Sequence, residues 1–380
     1  MGKRVDSPYK QLPAPGLTTL ESRMLRLVAL SWLTCCAAYA IHYVFNWYKL
    51  HRTMPPGPLG LPWLGNRHEL PAIKPWKKFA EWNARYGSVT SIFLGTTPVI
   101  ILGTAQPAWD LLEKCADIYS SRPRFVVAGE ILSNNMRGLM LPNNDVWRRW
   151  RKVISSILVL HLGFHFRQAA SYNEIQSMES KVVLKQLLDD PIDFEKHFQR
   201  FAGSVAVSVT YGRRIKSDDW IVKEQLSAVD YLVSVNIPGK YLVESWLWLL
   251  KLSRPLQWFR HEPERRKKED IVFLTYLLQQ VKMGMGSGTV QDCLASQCLN
   301  NLEQLGMDEV ELAYAISSPF GAGIETTVGT TTTLIMALLH YPEVQEKAQA
   351  ELDKVVGYDC MPEYKDRENL PYINAVSTKL

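Results

Sequence analysis

Glu325 and Thr326 set a carboxyl group beside a hydroxyl in the stretch FGAGIETTVGTTTTLIMALL, Phe320 to Leu339. An adjacent acid and alcohol can hand protons to a bound oxygen species. Gly321, Gly323 and Gly329 interrupt the same apolar helical pattern. Glycine lowers helix stability relative to alanine. It also lets a flat ligand come close, or lets the helix open locally. Neighbouring Ser and Thr hydroxyls can re-satisfy carbonyls where a helix loosens. Small residues suit plain helix–helix packing equally well, and Ala322-Gly323-Ile324-Glu325-Thr326 taken alone leaves both readings open.

A second constellation is DVWRRWRK, Asp145 to Lys152. On a helix Trp147 and Arg151 are four residues apart and share a face. An indole and a guanidinium there can both donate to a carboxylate. Arg148 and Lys152 share the neighbouring face, with Arg149 beside them, and that face suits an acidic partner. A solvated basic helix held by two tryptophans is the plainer alternative.

The six cysteines form no CxxC pair. Cys35 and Cys36 lie in the most apolar stretch, and Cys293 and Cys298 have no histidine nearby. No metal site is expected from this spacing. Few, scattered cysteines point to a reducing compartment.

The elements that must position these residues read as mainly α, with a small β portion near the start. Residues 75–87 have a helical period and stop at Gly87. SVTSIFLG and PVIILG, 88–103, are β-branched runs parted by a Gly-containing turn, a hairpin signature. Helices are predicted over 106–115, 144–158, 171–188, 194–211, 218–234, 262–282, 308–339 and 342–356. No dinucleotide-binding or phosphate-loop motif and no repeat occurs.

Ahead of this body, no charged residue occurs from Leu27 to Tyr48, long enough for a bilayer-spanning helix. Trp47 and Tyr48 close it as interfacial rings, and Arg23 and Arg26 precede it. The expected organisation is a polar tail at 1–23, a transmembrane anchor at 24–50, a Pro-rich hinge at 51–66 and a globular domain at 67–380. Prolines 55, 56, 58 and 62 stiffen the hinge. Across 380 residues, 47% are hydrophobic and 21% charged, enough to bury a large core. Twelve Trp and sixteen Tyr suit membrane interfaces and apolar pockets. A net charge of +5 with no basic stripe gives no indication of nucleic acid as a partner.

The order of these features resembles the microsomal cytochrome P450 family: a span, a PPGP hinge, a Trp-x-x-x-Arg helix and an A-G-x-E-T helix. HYPEVQEKAQAELDKVVG (340–357) and DRENLPYINAV (366–376) resemble that family's helix and loop after the oxygen-activating helix, and the similarity covers about Pro55 to Val376. The wording of the hinge and of IPGKYLVESW is most like fungal members that tailor secondary metabolites. The resemblance implies a haem cofactor (heme b), with Trp147 and Arg151 on a propionate and Ala322 and Gly323 against its plane. It implies Glu325 and Thr326 as the proton-delivering pair. Phe320 and Ile324 would shape the substrate pocket, as would the loop from Arg124 to Leu141 and the segment near Ile237 to Val243. Arg148, Arg149 and Lys152 would receive NADPH-cytochrome P450 reductase. The implied activity is insertion of one oxygen atom into a small lipophilic substrate. The implied setting is the endoplasmic reticulum, with a single span and a cytosolic globular part.

The family's Glu-x-x-Arg pair and its thiolate-bearing cysteine loop do not occur in these 380 residues, and Lys379 stands where the Glu is expected. An axial thiolate favours O–O cleavage. The expectation is therefore an incomplete fold, inactive as it stands. The alternative is a non-catalytic membrane protein that binds a reductase or a partner oxidase.

Overall fold

The computed structural model describes residues 17–71, 73–148, 150–151, 172–215, 219–237, 239–290 and 292–379. The chain divides into two units, Met1–Tyr119 and Ser120–Leu380. The first opens with α1, Leu17–Thr53, a helix reaching beyond the expected span at both ends. It holds a stretch long and apolar enough to cross a membrane, with that stretch unburied.

α2 (Pro75–Tyr86) packs beside an antiparallel hairpin of β1 (Val89–Leu94) and β2 (Thr97–Leu102). The register runs from Val89↔Leu102 to Leu94↔Thr97. Gly95 takes the left-handed conformation the turn needs, at φ 66. The Pro-rich stretch is part of this unit: Ser91 N–H donates to Pro56 O at 3.1 Å and Ser91 Oγ to Pro55 O at 2.6 Å. The boundary between units thus falls after Tyr119, beyond the short helices α3 (Ala105–Ala108) and α4 (Ala116–Tyr119).

The second unit holds helices and no strand among its described residues. A π-helical turn, Val126–Leu132, comes first. α5 follows, described at 145–148 and 150–151. Then come α6 (Asn173–Asp189), α7 (Phe194–Tyr211), α8 (Trp220–Val235) and α9 (His261–Ser287). α10 (Leu294–Asn300) and the single turn α11 (Leu302–Leu305) lead to α12 (Glu309–His340). α13 (Pro342–Val355) and α14 (Pro371–Lys379) complete the described chain. The larger core gathers side chains of α7, α8, α9, α10 and α12, among them Val207, Ile221, Leu277, Leu294, Ile316 and Phe320. A smaller one seats the π-helical turn against Val235, Val243, Leu249 and Phe259.

α12 is the axis of this unit. Asp308 caps it, accepting from Val310 N at 2.9 Å and Glu311 N at 2.8 Å, while Glu311 accepts from Asp308 N at 3.3 Å. Asp308→Ala should lower stability by about 1 kcal/mol in urea unfolding followed by circular dichroism. Pro319, inside α12, has no N–H to give the preceding turn, which loosens the helix next to Phe320.

Candidate cofactor and proton-relay site

α5 starts at Asn144, whose Oδ1 accepts from Trp147 N at 2.9 Å and whose carbonyl accepts from Arg148 N at 2.9 Å. The helix then brings Trp147 and Arg151 together. The Arg151 guanidinium carbon lies 5.8 Å from the centre of a half-buried Trp147 ring. Arg151 is exposed and has no carboxylate partner among the described residues. Arg148 is exposed too and pairs with Asp145 at 3.0 Å, a surface contact worth little. Arg149 and Lys152 lie outside the described residues.

Trp150, between them, lies flat on Gly138; a Cβ at Gly138 would come 2.2 Å from the indole. The missing side chain at Gly138 therefore makes room for α5. Glu244 holds the loop upstream. Its carboxylate accepts from Val126 N at 3.0 Å and Val127 N at 2.8 Å, satisfying amides that open the π-helical turn.

α12 buries its first half and leaves its second half uncovered: no described residue from Glu325 to His340 is buried. Ala322, Glu325, Thr326, Gly329, Thr330 and Thr333 are exposed at helical spacing, so they share one open face. Glu325 has no ion-pair or hydrogen-bond partner among the described residues. Thr326 Oγ1 donates to Ala322 O at 2.7 Å, leaving its lone pairs outward. The pattern continues with Thr327 to Gly323 O at 2.7 Å, Thr330 to Thr326 O at 2.9 Å and Thr333 to Gly329 O at 2.7 Å.

Three of the residues singled out by sequence lie elsewhere. Gly323 turns toward α7, where a Cβ would meet Ala206 at 3.5 Å. It lines a cavity of about 440 Å³ with Phe201, Val205, Val209, Pro319 and Thr327. Phe320 and Ile324 are wholly enclosed, and Phe320 meets Tyr211 edge-on at 5.9 Å. Both serve core packing and line none of the described cavities. Periodicity could not separate these faces, because apart from Glu325 the residues of this stretch are apolar or small on every side.

Two buried charge clusters, not foreseen from sequence, brace α12. Glu179 of α6 is enclosed and meets Arg200 of α7 at 2.5 Å and Arg214 at 2.8 Å. Burial pushes its carboxyl up, but the two guanidinium groups outweigh burial and hold it below the usual value. Asp270 of α9 meets Arg266 at 2.8 Å and Arg137 at 3.3 Å, and Arg266 reaches Glu224 of α8 at 2.7 Å. Here burial prevails and raises the Asp270 carboxyl despite both arginines. Arg137 also lies over the Tyr314 ring of α12 at 5.3 Å. The only signal available in sequence was the polarity of these residues within otherwise apolar helices.

Cys293 and Cys298 are buried in the larger core, and burial pushes the Cys298 thiol up to about 12. Cys360 is exposed after α13. Among the described residues no cluster of His, Cys, Asp and Glu could hold a metal ion.

The arrangement fits a flat, acidic, iron-bearing ring in two respects. α12 offers a face with a bare Cβ at Ala322, beside an acid and an alcohol. α5 offers a guanidinium that has no carboxylate partner among the described residues and is backed by an indole.

Comparison with known proteins agrees. The cytochrome P450 family model matches residues 55–377. Cytochrome P450 monooxygenase 58 of Postia placenta is 33% identical over 369 residues, covering 94% of this chain and 66% of that protein. Cytochrome P450 monooxygenase COX2 of Coprinopsis cinerea is 30% identical, covering 91% and 66%. An Armillaria gallica cytochrome P450 monooxygenase is 32% identical, covering 86% and 61%. The chain spans about two thirds of the length of these relatives. It belongs to the cytochrome P450 family.

Proposed function

We propose that this chain serves haem-dependent monooxygenation of a small lipophilic substrate, in the manner of the fungal monooxygenases it resembles. The observation that carries the reading is the open face of α12, where Ala322 leaves room beside Glu325 and Thr326. Haem, when bound, supplies the activation of dioxygen. Arg151 and the Trp147 indole would donate to a propionate carboxylate. Glu325, without an ion-pair or hydrogen-bond partner among the described residues, would take up protons from water. Thr326, its own proton held by Ala322 O, would accept a hydrogen bond from the water that carries them and so hold it in place. A membrane-bound reductase would supply electrons, docking near the exposed Arg148. α1 would anchor the chain in the endoplasmic reticulum with the globular part cytosolic. The wording of the hinge and of IPGKYLVESW supports a secondary metabolite as the substrate class.

Titrating hemin into the detergent-solubilised chain, read at the Soret band, tests this. The chain should take up one equivalent. Arg151→Met should weaken uptake by about tenfold, the size of one lost charge-assisted hydrogen bond. Absence of uptake would sink the haem reading, and unchanged affinity would sink the propionate role. With Cys293 and Cys298 enclosed in the core, the carbon-monoxide difference spectrum of these 380 residues should lack a thiolate-type band.

The second reading, a reductase-binding membrane protein without catalysis, rests on the solvent-facing Arg148. Reversing Arg148, Arg149 and Lys152 to glutamate should abolish reductase pull-down, and undiminished capture would count against it.

A further inference from the structure

Arg137 belongs to the loop between the π-helical turn and α5, yet two distant helices hold its side chain. Its Nη2 donates to Asp270 Oδ2 of α9 at 3.3 Å, and its guanidinium carbon lies 5.3 Å from the centre of the Tyr314 ring of α12. Asp270 is itself aimed. Its other oxygen, Oδ1, accepts from Arg266 Nε at 2.8 Å. Arg266 is fixed in turn by Glu224 at 2.7 Å and Ser227 at 3.2 Å, both of α8. Asp270 is only 1% exposed, so it keeps these partners away from water. An arginine gripped at its charged edge and on its flat face has little rotamer freedom left. It therefore pins the backbone beside it.

The next residue is the seat of α5. Three atoms of the Trp150 indole would stand 2.2 to 2.3 Å from a Cβ at Gly138, so the ring lies against the bare Cα. A 3₁₀ turn, Gly138–Met140, stiffens this stretch: Met140 N donates to Arg137 O at 3.0 Å and Leu141 N to Gly138 O at 3.3 Å. Trp150 Nε1 is buried and has no hydrogen-bond partner among the described residues. Packing, rather than a hydrogen bond, sets the place of its ring.

Trp150 in turn fixes the phase of its helix. At 3.6 residues per turn, Arg151 lies about 100° round the axis from Trp150, with Trp147 on the same face as Arg151. A roll of α5 that unseats the indole also swings the guanidinium. The place of one ring on one glycine thus decides where the Trp147–Arg151 face points.

We propose that Arg137 and Asp270 are positioning residues for α5: the pair holds Gly138 under Trp150, and Trp150 sets the turn of the helix that presents Trp147 and Arg151. The proposal rests on the haem reading only in naming a propionate as what Arg151 receives. Both residues act through Trp150, not on the ligand.

Hemin titration of the detergent-solubilised chain, with amide hydrogen exchange of the hemin-free chain beside it, tests this. Arg137→Gln should weaken hemin uptake by about tenfold, as Arg151→Met does, because its effect passes through Arg151. The double variant Arg137→Gln/Arg151→Met should bind no more weakly than Arg151→Met alone. A product of the two losses, about a hundredfold, overturns the proposal. Gly138→Ala lifts Trp150 without touching the charges, and should show the same loss and the same lack of additivity. Unchanged affinity in Gly138→Ala overturns the proposal as well. In the hemin-free chain, Arg137→Gln should speed exchange at the Trp150 and Arg151 amides by at least about fivefold and leave α6 and α13 as they were. Unchanged exchange at Trp150 sinks the positioning role. Faster exchange throughout α6 and α7 sinks it too, since the pair would then be a general prop of the unit. If the natural chain takes up no hemin, the haem reading fails, and the exchange result still decides whether the pair positions α5.

Discussion

Arg200→Met should destabilise the second unit by about 3 kcal/mol, because the buried carboxylate of Glu179 would keep only the exposed Arg214 as its cationic partner. Glu179 is fully enclosed on α6, and Arg200 of α7 is its closest partner. Arg200 also donates to Gln186 at 2.7 Å, so one guanidinium joins two turns of α6 to α7. α7 is in turn the helix most extensively packed on α12. Losing this clamp would loosen the frame beneath the open face that carries Ala322, Glu325 and Thr326. Adding Glu179→Gln removes the under-compensated buried charge and should recover much of the loss.

The clamp also sets a pH dependence. The two arginines hold the Glu179 carboxyl below its ordinary value of 4.5 in spite of burial. The folded chain therefore binds that proton less readily than the unfolded chain. The resulting stability is complete above the ordinary value and is lost as pH falls through the depressed one. Urea midpoints measured from pH 7 down to pH 3 should fall more steeply for the natural sequence than for the Glu179→Gln/Arg200→Met pair. Parallel curves, or a single-variant loss below about 1 kcal/mol, would show that the clamp is not what holds α6 to α7.

The second large effect is expected at Gly57. A Cβ there would stand 1.8 Å from the Ser91 carbonyl oxygen, a backbone atom that cannot rotate away. Gly57→Ala should break the bonds from Ser91 to Pro55 and Pro56, at a cost of about 3 kcal/mol or more. Hydrogen exchange should report it locally, with faster exchange at Ser91 and neighbouring β1 amides and unchanged exchange in α7 and α9. Protection retained at Ser91 would mean that the hinge does not depend on this contact.

The boundaries of α7 and α13 and the hairpin were legible because apolar period, Gly and Pro agree there. α12 was legible as a helix from its long apolar pattern. Its faces were not. Gly323 and Thr327 look like Ala322 and Thr326 in sequence, and only packing against Ala206 tells them apart. Phe320 and Ile324, which the resemblance placed at the substrate pocket, lie enclosed in the core, Phe320 against Tyr211. The Pro-rich stretch reads as a linker because its partner, Ser91, is 36 residues away from Pro55. Arg137 and Asp270 are separated by 133 residues, beyond any local pattern. The Trp147–Arg151 pair was legible because both members lie on one helix.

The threonine ladder of α12 gives its open face a definite polarity. Thr326, Thr330 and Thr333 each turn their single hydroxyl proton inward to a carbonyl one turn back. What they present outward is lone pairs, with the carboxyl group of Glu325 beside them. A water molecule resting there is oriented with hydrogens toward the helix and oxygen away. The helix thus combs its solvent into one direction, and whatever replaces that water must arrive with a hydrogen to give.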